Sequence, residues 1–298
     1  PSYRPDSDMV VMNREIKPID IYININKIDR VKFQNFSEPD FSAPSYIKRK
    51  HKIFDEERAL YALKNEKVEE CIFAGPADGE SALKECRGID VARCSFSLRY
   101  PLWHTHDFSV TECVLDDKTR APLWYAENGK ISDSYLGGIK TLRECESVEI
   151  IRCSAVSPEF GWRCRGLKIE NTFAVSEYFL FESRDISMKD VRMDGKYSFQ
   201  YVENALIEVF FNTKDAFWHS KNVTVENSVI KGEYLGWYSE NLTLINCHIQ
   251  GTQPLCYCKG LTLVNCTTEG CDLAFEYSDV DADISGHILS VKNPASGR

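Results

Sequence analysis

The segment from Lys214 to Cys271 repeats itself every 19 residues. Three copies align without a gap: AFWHSKNVTVENSVI (216–230), LGWYSENLTLINCHI (235–249) and PLCYCKGLTLVNCTT (254–268). Each copy has a turn residue followed by an apolar–polar–apolar run, which has the period of a β-strand. A unit this short cannot bury its apolar face alone, so the copies must stack on one another.

The same unit extends from about residue 58 to about residue 284, in coils of 18–23 residues. Its turn column consists almost entirely of residues that tolerate a left-handed backbone. The members of this column are Asn65, Gly88, Asp107, Asn128, Ser147, Gly166, Asp185, Asn204, Asn222, Asn241 and Gly260. Ankyrin and tetratricopeptide units need about 33 residues, and leucine-rich repeats have a different signature. The pattern predicts an all-β, single-stranded parallel β-helix of about twelve coils over residues 53–298.

Residues 1–52 do not share the repeat. Alternating isoleucines between Ile19 and Ile25 predict one half-buried strand there. We expect this segment to be an N-terminal arm or cap, because a solenoid needs its apolar end covered. A partner-binding segment is the alternative.

The charge balance excludes some classes of partner. A formal net charge of -9 and a pI near 5.3 argue against nucleic acid, which needs a basic footprint. No run of about 18 apolar residues occurs, so we expect no membrane span.

Twelve cysteines fall mostly into two columns of the repeat. One column holds Cys71, Cys94, Cys113, Cys153, Cys247 and Cys266, and the other holds Cys86, Cys145, Cys164 and Cys258. Stacked in this way, they are expected to be small buried hydrophobic residues in the reduced state, which favours a cytoplasmic location over a secreted, disulfide-linked protein. Zinc needs four suitable ligands, and we expect no metal ion or other cofactor.

Several phrases resemble the bacterial family catalogued as domain-of-unknown-function family 3737. They are AGPADGESALKEC (74–86), RYPLWHT (99–105), RAPLWYA (120–126), SPEFGWRCR (157–165), GKYSFQYVEN (195–204), TKDAFWHSKN (213–222) and GTQPLCYCK (251–259). The resemblance covers roughly residues 53–298. It implies a right-handed β-helix of the pectin-lyase-like kind, and it implies no established activity.

Two neighbouring columns precede the turn and carry unusual side chains. The first is Trp103, Trp124, Arg143, Trp162, Phe181, Gln200, Trp218 and Trp237, which includes every tryptophan of the chain. The second is Glu85, His104, Tyr125, Glu144, Arg163, Glu182, Tyr201, His219, Tyr238 and Tyr257. Adjacent residues of a strand face opposite ways, so we expect the charged column outside and the tryptophans stacked inside. A tight bend beside the cysteine column would instead leave some indole rings exposed.

Glu144, Arg163 and Glu182 occupy successive coils of the outward column. Stacking would place the two carboxylates ~10 Å apart with the guanidinium between them. The functional interpretation is a catalytic acid/base pair, since inverting glycosidases separate their carboxyl groups by about 6.5–9.5 Å. The structural interpretation, which we favour, is a ladder in which the arginine compensates two like charges.

Two classes of function remain open. The first is binding or processing of a polysaccharide or oligosaccharide, by a polysaccharide lyase or glycoside hydrolase if the protein is an enzyme. Aromatic and polar groups along one face would contact the sugar. The predicted substrate-binding residues are His104, Tyr125, Tyr201, His219, Tyr238 and Tyr257. The second class is a non-catalytic scaffold or homo-oligomer that buries the same face against another chain.

Overall fold

The computed structural model describes residues 51–298, and the regular structure in that range is all β-strand. The strands form a parallel β-solenoid of about 13 turns, which confirms the predicted fold class with one turn more than expected. The predicted arm or cap at residues 1–52 lies, except for its last two residues, outside the described residues.

The turns divide into two compact units. Unit 1 contains the described residues up to Pro158 together with Asn171–Phe173, and unit 2 contains Glu159–Glu170 and Ala174–Arg298. The strands of unit 1 are β1 Ile53–Phe54, β2 Lys67–Glu69, β3 Ile72–Phe73, β4 Arg87–Ala92, β5 Ser95–Phe96, β6 His106–Thr111, β7 Val114–Leu115, β8 Glu127–Ser132, β9 Tyr135–Leu136, β10 Glu146–Ile151 and β11 Ser154–Val156. Those of unit 2 are β12 Glu159–Phe160, β13 Lys168–Glu170, β15 Tyr178–Phe179, β16 Arg184–Lys196, β17 Glu203–Lys214, β18 Lys221–Glu226, β19 Val229–Lys231, β20 Glu240–Ile245, β21 His248–Thr252, β22 Leu261–Asp272, β23 Asp279–Ile288 and β24 Ser296–Gly297. Strand β14, Phe173–Ser176, holds residues of both units.

Each strand pairs in parallel with the equivalent strand of the next turn. In unit 1, β4 pairs with β6 so that Val91 lies opposite Val110. In unit 2, β18 pairs with β20 so that Val223 lies opposite Leu242, an offset of 19 residues. The apolar–polar–apolar run therefore repeats its apolar side chains at the same place in most turns, where they are buried.

The constant register also stacks phenylalanine rings from successive turns on one another in the core. In unit 1, Phe54, Phe73 and Phe96 stack with ring centroids 5.2 and 4.6 Å apart. In unit 2, the rings of Phe199 and Phe217 stack at 4.7 Å with an angle of 8° between their planes. Such contacts add to the area that the rings bury.

The cysteine column has a hydrogen-bonding role. The backbone N–H of Cys94 donates to Sγ of Cys113 at 3.3 Å, and the N–H of Cys113 donates to Oγ of Ser134 at 3.0 Å. This position therefore needs a small side chain that accepts a hydrogen bond inside the coil, which cysteine, serine and threonine provide. All twelve cysteines are buried and none forms a disulfide bond, as predicted for reduced structural residues.

The asparagines of the turn column form ladders on the surface. The Nδ2 of Asn241 donates to Oδ1 of Asn222 at 3.0 Å, and the Nδ2 of Asn222 donates to Oδ1 of Asn204 at 3.3 Å. All three have φ between 52° and 55°, the left-handed region in which asparagine is enriched. Asn222 and Asn241 begin Asn-x-Thr sequences, and their side-chain nitrogens are already engaged in the ladder.

A third side closes each coil between its second strand and the first strand of the next coil. Here φ is positive at alternate residues, for example at Tyr234, Gly236 and Tyr238 with values of 57°, 72° and 60°. The backbone still bonds to both neighbouring turns: the N–H of Gly236 donates to the carbonyl of Ala216, and that of Tyr238 to the carbonyl of Cys256. The chain thus remains in register, although successive side chains no longer point alternately to opposite faces as they do in a strand.

We expect Phe199→Ala to destabilise the protein by about 3–5 kcal/mol, because a fully buried ring is lost and a cavity remains. Leu206→Ala is the control, since Leu206 is 48% exposed and its truncation should change stability by no more than about 0.5 kcal/mol. Thermal unfolding followed by circular dichroism compares the two. Equal shifts would contradict the assignment of Phe199 to the core.

Candidate functional site

The third side places neighbouring residues together on the surface. Every member of the predicted glutamate, histidine and tyrosine column has φ between 52° and 61°. A left-handed residue does not continue the strand alternation, so Trp237 and the following Tyr238 both reach the surface. This conformation is uncommon for bulky residues, and the sequence therefore contained no clear signal for it.

The prediction that the tryptophans stack inside is wrong. All five are half-buried on the third side, and the alternative of a tight bend that leaves rings exposed is correct. In unit 2 the indole N–H groups of Trp162, Trp218 and Trp237 donate to backbone carbonyls 16 residues further on, at 3.3, 2.6 and 2.8 Å. These bonds hold the rings flat against the coil, half-exposed to solvent.

Unit 1 carries its own group of rings. Trp103 and Trp124 stack at 5.6 Å, His104 lies 5.0 Å from Tyr125, and the Nζ of Lys84 lies 4.0 Å from the Trp103 ring centroid. Within residues 51–298, the buried Nε1 of Trp103 has no hydrogen-bond partner.

Unit 2 carries a continuous stack of five rings, which we call the tyrosine–histidine ladder. Its members are Tyr201, His219, Tyr238, Tyr257 and Tyr277. Successive centroids are 4.9, 5.0, 4.9 and 5.8 Å apart, and the planes differ by 7° to 26°. Because the faces cover one another, the ladder presents mainly ring edges and polar tips, with three of the tyrosines 44–59% exposed.

Two further files run beside the ladder in unit 2. The tyrosine file is Tyr178, Tyr197, Asp215, Tyr234 and Gln253, and the tryptophan file is Trp162, Phe181, Gln200, Trp218 and Trp237. The ladder and these two files together are called the aromatic side of unit 2. Tyr178 stacks on Tyr197 at 4.9 Å, and Trp218 stacks on Trp237 at 5.3 Å. Contacts such as Tyr234 to Trp237 at 5.4 Å join one file to the next.

Two polar residues interrupt the aromatic side in successive coils. Gln200 stands in the tryptophan file and Asp215 in the tyrosine file. The amide nitrogen Nε2 of Gln200 donates to the backbone carbonyl of Asp215 at 3.1 Å. The interruptions therefore adjoin each other and form one polar spot among the rings.

The carboxyl group of Asp215 has no hydrogen-bond or ion-pair partner within the described part of the chain. The residue as a whole is 6% exposed, and its carboxylate oxygens still contact solvent. Burial raises the pKa of this carboxyl group and Glu233 raises it further, while Lys214 and Lys196 oppose the shift. A largely buried carboxylate without protein donors costs the fold stability, and carboxyl groups with a raised pKa often occur at functional sites.

Two lysines flank this carboxyl group. The Nζ of Lys196 lies 4.4 Å from the centroid of the Tyr197 ring, and that of Lys214 lies 5.0 Å from the centroid of Tyr234. Lys214 also forms an ion pair with Glu233 at 3.1 Å. The spot thus combines ring faces, ammonium groups and one unpaired acceptor.

The three predicted catalytic residues are distributed over the two units. In unit 2, Nε of Arg163 forms an ion pair with Glu182 at 2.7 Å, and both side chains are more than a third exposed. In unit 1, Glu144 lies 3.7 Å from the guanidinium of Arg143 and accepts from Nε1 of Trp124 at 3.5 Å. The direct Arg163–Glu182 pair is what the charge-ladder alternative describes, and a catalytic role for the three residues stays a prediction.

The predicted substrate-binding residues all lie on the third side. His104 and Tyr125 belong to the rings of unit 1, and Tyr201, His219, Tyr238 and Tyr257 belong to the tyrosine–histidine ladder. Sequence reasoning missed Tyr277 and the polar spot at Asp215. The available signal was the break in the file, since aspartate and glutamine replace rings in columns that are otherwise mostly aromatic.

Within residues 51–298 no group of three or more His, Cys, Asp or Glu side chains is arranged to hold a metal ion. The same range contains no helix of the length and apolar character that a membrane crossing requires.

These features define the class of protein: a parallel β-solenoid whose third side carries stacked aromatic files. The chain belongs to the family described as protein of unknown function (DUF3737), whose model matches residues 47–298. Among curated protein sequences, none matches this chain.

The solved structures whose folds overlap with this chain have low sequence identity to it. The A-module of mannuronan C-5 epimerase AlgE6 from Azotobacter vinelandii is 12% identical, with 84% of this chain and 87% of that chain covered and a TM-score of 0.41. PfbA, a surface adhesin of Streptococcus pneumoniae, is 7% identical, with 78% and 82% covered and a TM-score of 0.41. Endo-xylogalacturonan hydrolase from Aspergillus tubingensis is 11% identical, with 79% and 86% covered and a TM-score of 0.28. Similarity at this level assigns no activity to the chain.

We expect Asp215→Asn to raise the melting temperature at neutral pH. The raised pKa means that the folded state prefers the neutral carboxyl group, so ionisation costs stability once the pH rises through the folded value. The gain should shrink as the pH is lowered towards the ordinary aspartate value of about 3.9. Thermal unfolding over a series of pH values measures it.

Asp185→Asn is the control, and its expected change in stability has the opposite sign. Hydrogen bonds from Asn204 and Arg165 lower the pKa of Asp185, so its carboxylate stabilises the fold above the unfolded value. This variant should lose stability at neutral pH, and the loss should disappear on acidification. A gain in both variants would show that removal of charge in general, rather than burial of Asp215, is responsible.

Proposed function

We propose that this protein binds a polysaccharide or oligosaccharide along the aromatic side of unit 2. The observation that carries the proposal is a carboxylate with no protein donor, on a residue only 6% exposed, set among half-buried aromatic rings with its oxygens in contact with solvent. Sugar rings have apolar C–H faces and polar edges, so a site for them needs both aromatic surface and a few oriented polar groups. Asp215 and Gln200 supply the polar groups, and Tyr197, Trp218 and Tyr234 supply the rings.

The repeat itself suits a polymeric ligand. Equivalent side chains recur in every coil at the strand spacing of ~4.8 Å, so a linear chain can contact several coils through similar groups. The tyrosine–histidine ladder provides a row of phenol and imidazole groups that both donate and accept hydrogen bonds. Many weak contacts along such a row add up to useful affinity.

A second candidate function rests on the same ladder. Tyr201, Tyr238 and Tyr277 expose 46%, 44% and 59% of their surface, while their ring faces are covered by neighbours. A flat, tyrosine-rich strip of this kind is also typical of protein interfaces. It favours a non-catalytic scaffold or homo-oligomer. Burying Asp215 beneath a partner without a donor would add to its cost, which is why saccharide binding is preferred.

Tyr238→Ala should weaken saccharide binding by about threefold to tenfold, the equivalent of 0.5–1.5 kcal/mol for one aromatic contact. Affinity electrophoresis in gels containing neutral or acidic polysaccharides, followed by calorimetry with oligosaccharides, measures the change. Leu206→Ala is the matched control, because Leu206 is similarly exposed in unit 2 but lies on β17, outside the aromatic side.

The scaffold or homo-oligomer function predicts a different outcome of these experiments. If no polysaccharide retards the protein, light scattering shows a stable dimer, and Tyr238→Asp converts it to a monomer, then the scaffold function is correct. Retardation of the wild type and the Leu206→Ala variant, together with weaker retardation of Tyr238→Ala, supports saccharide binding.

A further inference from the structure

In the tyrosine file, the coil that contains Asp215 differs from the coils on either side in its side chain and not in its backbone. Tyr197, Asp215 and Tyr234 have φ of 53°, 56° and 57°. Their backbone N–H groups all donate to the next turn, at 2.9 to 3.0 Å. The backbone at Asp215 is therefore the same as at the two tyrosines. What changes there is that a carboxyl group replaces a ring.

Because Asp215 has no ring, Tyr197 and Tyr234 are separated by the space that one ring would occupy. Where the file is aromatic in successive coils, Tyr178 and Tyr197 stack with centroids 4.9 Å apart. Tyr197 and Tyr234 are two coils apart, a separation of ~9.6 Å at the strand spacing. One ring layer between them would restore the stack on both sides, with the Asp215 carboxyl group at the base of the gap.

The side chains beside the gap can move. The ammonium groups of Lys196 and Lys214 lie near the Tyr197 and Tyr234 rings. A lysine side chain is flexible and strongly hydrated, so it can turn towards solvent without disturbing the backbone. The tyrosines and Asp215 belong to the hydrogen-bonded coils and stay in place.

We propose that the gap between Tyr197 and Tyr234 is a subsite for one neutral hexopyranose unit, with Asp215 as the acceptor for its hydroxyl groups. This rests on the proposed function, and it adds the position and the chemical class of the bound sugar. The pyranose ring takes the place of the missing aromatic ring. Its C–H faces contact the tyrosines, and its hydroxyl edge meets the carboxylate.

The charges around the gap balance, because Asp215 and Glu233 are opposed by Lys196 and Lys214. No net charge there selects a charged sugar over a neutral one. A carboxylate that accepts no hydrogen bond within the described residues needs donors, and sugar hydroxyls supply two at adjacent carbons. The raised pKa of Asp215 agrees with this shortage of donors.

Asp215→Tyr tests the subsite, because it fills the gap with the residue that the file has on both sides. The variant should fold with a melting temperature at or above that of the wild type. Its affinity for neutral hexasaccharides (β-1,4-glucan, β-1,4-mannan and α-1,4-glucan are the probes) should fall by about tenfold or more, as expected for the loss of a charged hydrogen bond. Calorimetry measures the affinity, and Leu206→Ala again serves as the control.

Asp215→Asn is the second variant, and it decides the matter if Asp215→Tyr does not fold. It keeps the gap but replaces the acceptor by an amide, so neutral sugars should bind more weakly. The wild-type affinity should fall as the pH is lowered and Asp215 becomes protonated, whereas the affinity of the asparagine variant should change less. The lysines and tyrosines beside the gap keep their protons throughout this range.

The outcomes separate the subsite from the proposed function. Unchanged affinity in both Asp215 variants overturns the subsite and leaves saccharide binding along the aromatic side intact. Binding of hexagalacturonate in preference to every neutral probe overturns the neutral class. Binding of none of these saccharides by the wild type overturns the subsite and the proposed function together.

Discussion

In-register hydrogen bonding between successive turns is the constraint on which the rest of the structure depends. Each strand pairs with its equivalent one turn away, as β4 with β6 and β18 with β20. Because the register is constant, every position of the coil becomes a file of neighbouring side chains at ~4.8 Å. Stacked phenylalanines, the cysteine column and the asparagine ladders follow from this single condition.

The third side follows the same rule with a different backbone. Positive φ at alternate residues keeps the inter-turn hydrogen bonds while turning adjacent side chains outward. Tryptophan and tyrosine files can then lie side by side on the surface, where two strand neighbours would have faced opposite ways. The result is a broad aromatic surface whose rings are held by stacking and by indole N–H bonds to the backbone. Such a surface is rigid before any ligand arrives, which lowers the entropic cost of binding.

The sequence predicted the fold well because period and turn chemistry are local signals. Val223 and Leu242 pair as their alignment predicts, and the left-handed turn column is confirmed at Asn222 and Asn241. The placement of the tryptophans was wrong because left-handed φ is uncommon at bulky residues such as tyrosine, so the sequence contained no clear signal for it. Asp215 was not singled out from the sequence, because the shortage of hydrogen-bond donors around its carboxylate exists only in three dimensions.

The role assigned to the aromatic side is tested most directly by a crystal structure of the protein soaked with a neutral hexasaccharide. The account predicts a pyranose ring between Tyr197 and Tyr234, with a hydroxyl group within about 3 Å of the Asp215 carboxylate and both lysine side chains turned aside. Sugar density against strands β17 and β18 would contradict it. A gap still closed by Lys196 and Lys214, with the sugar bound elsewhere, would also contradict it.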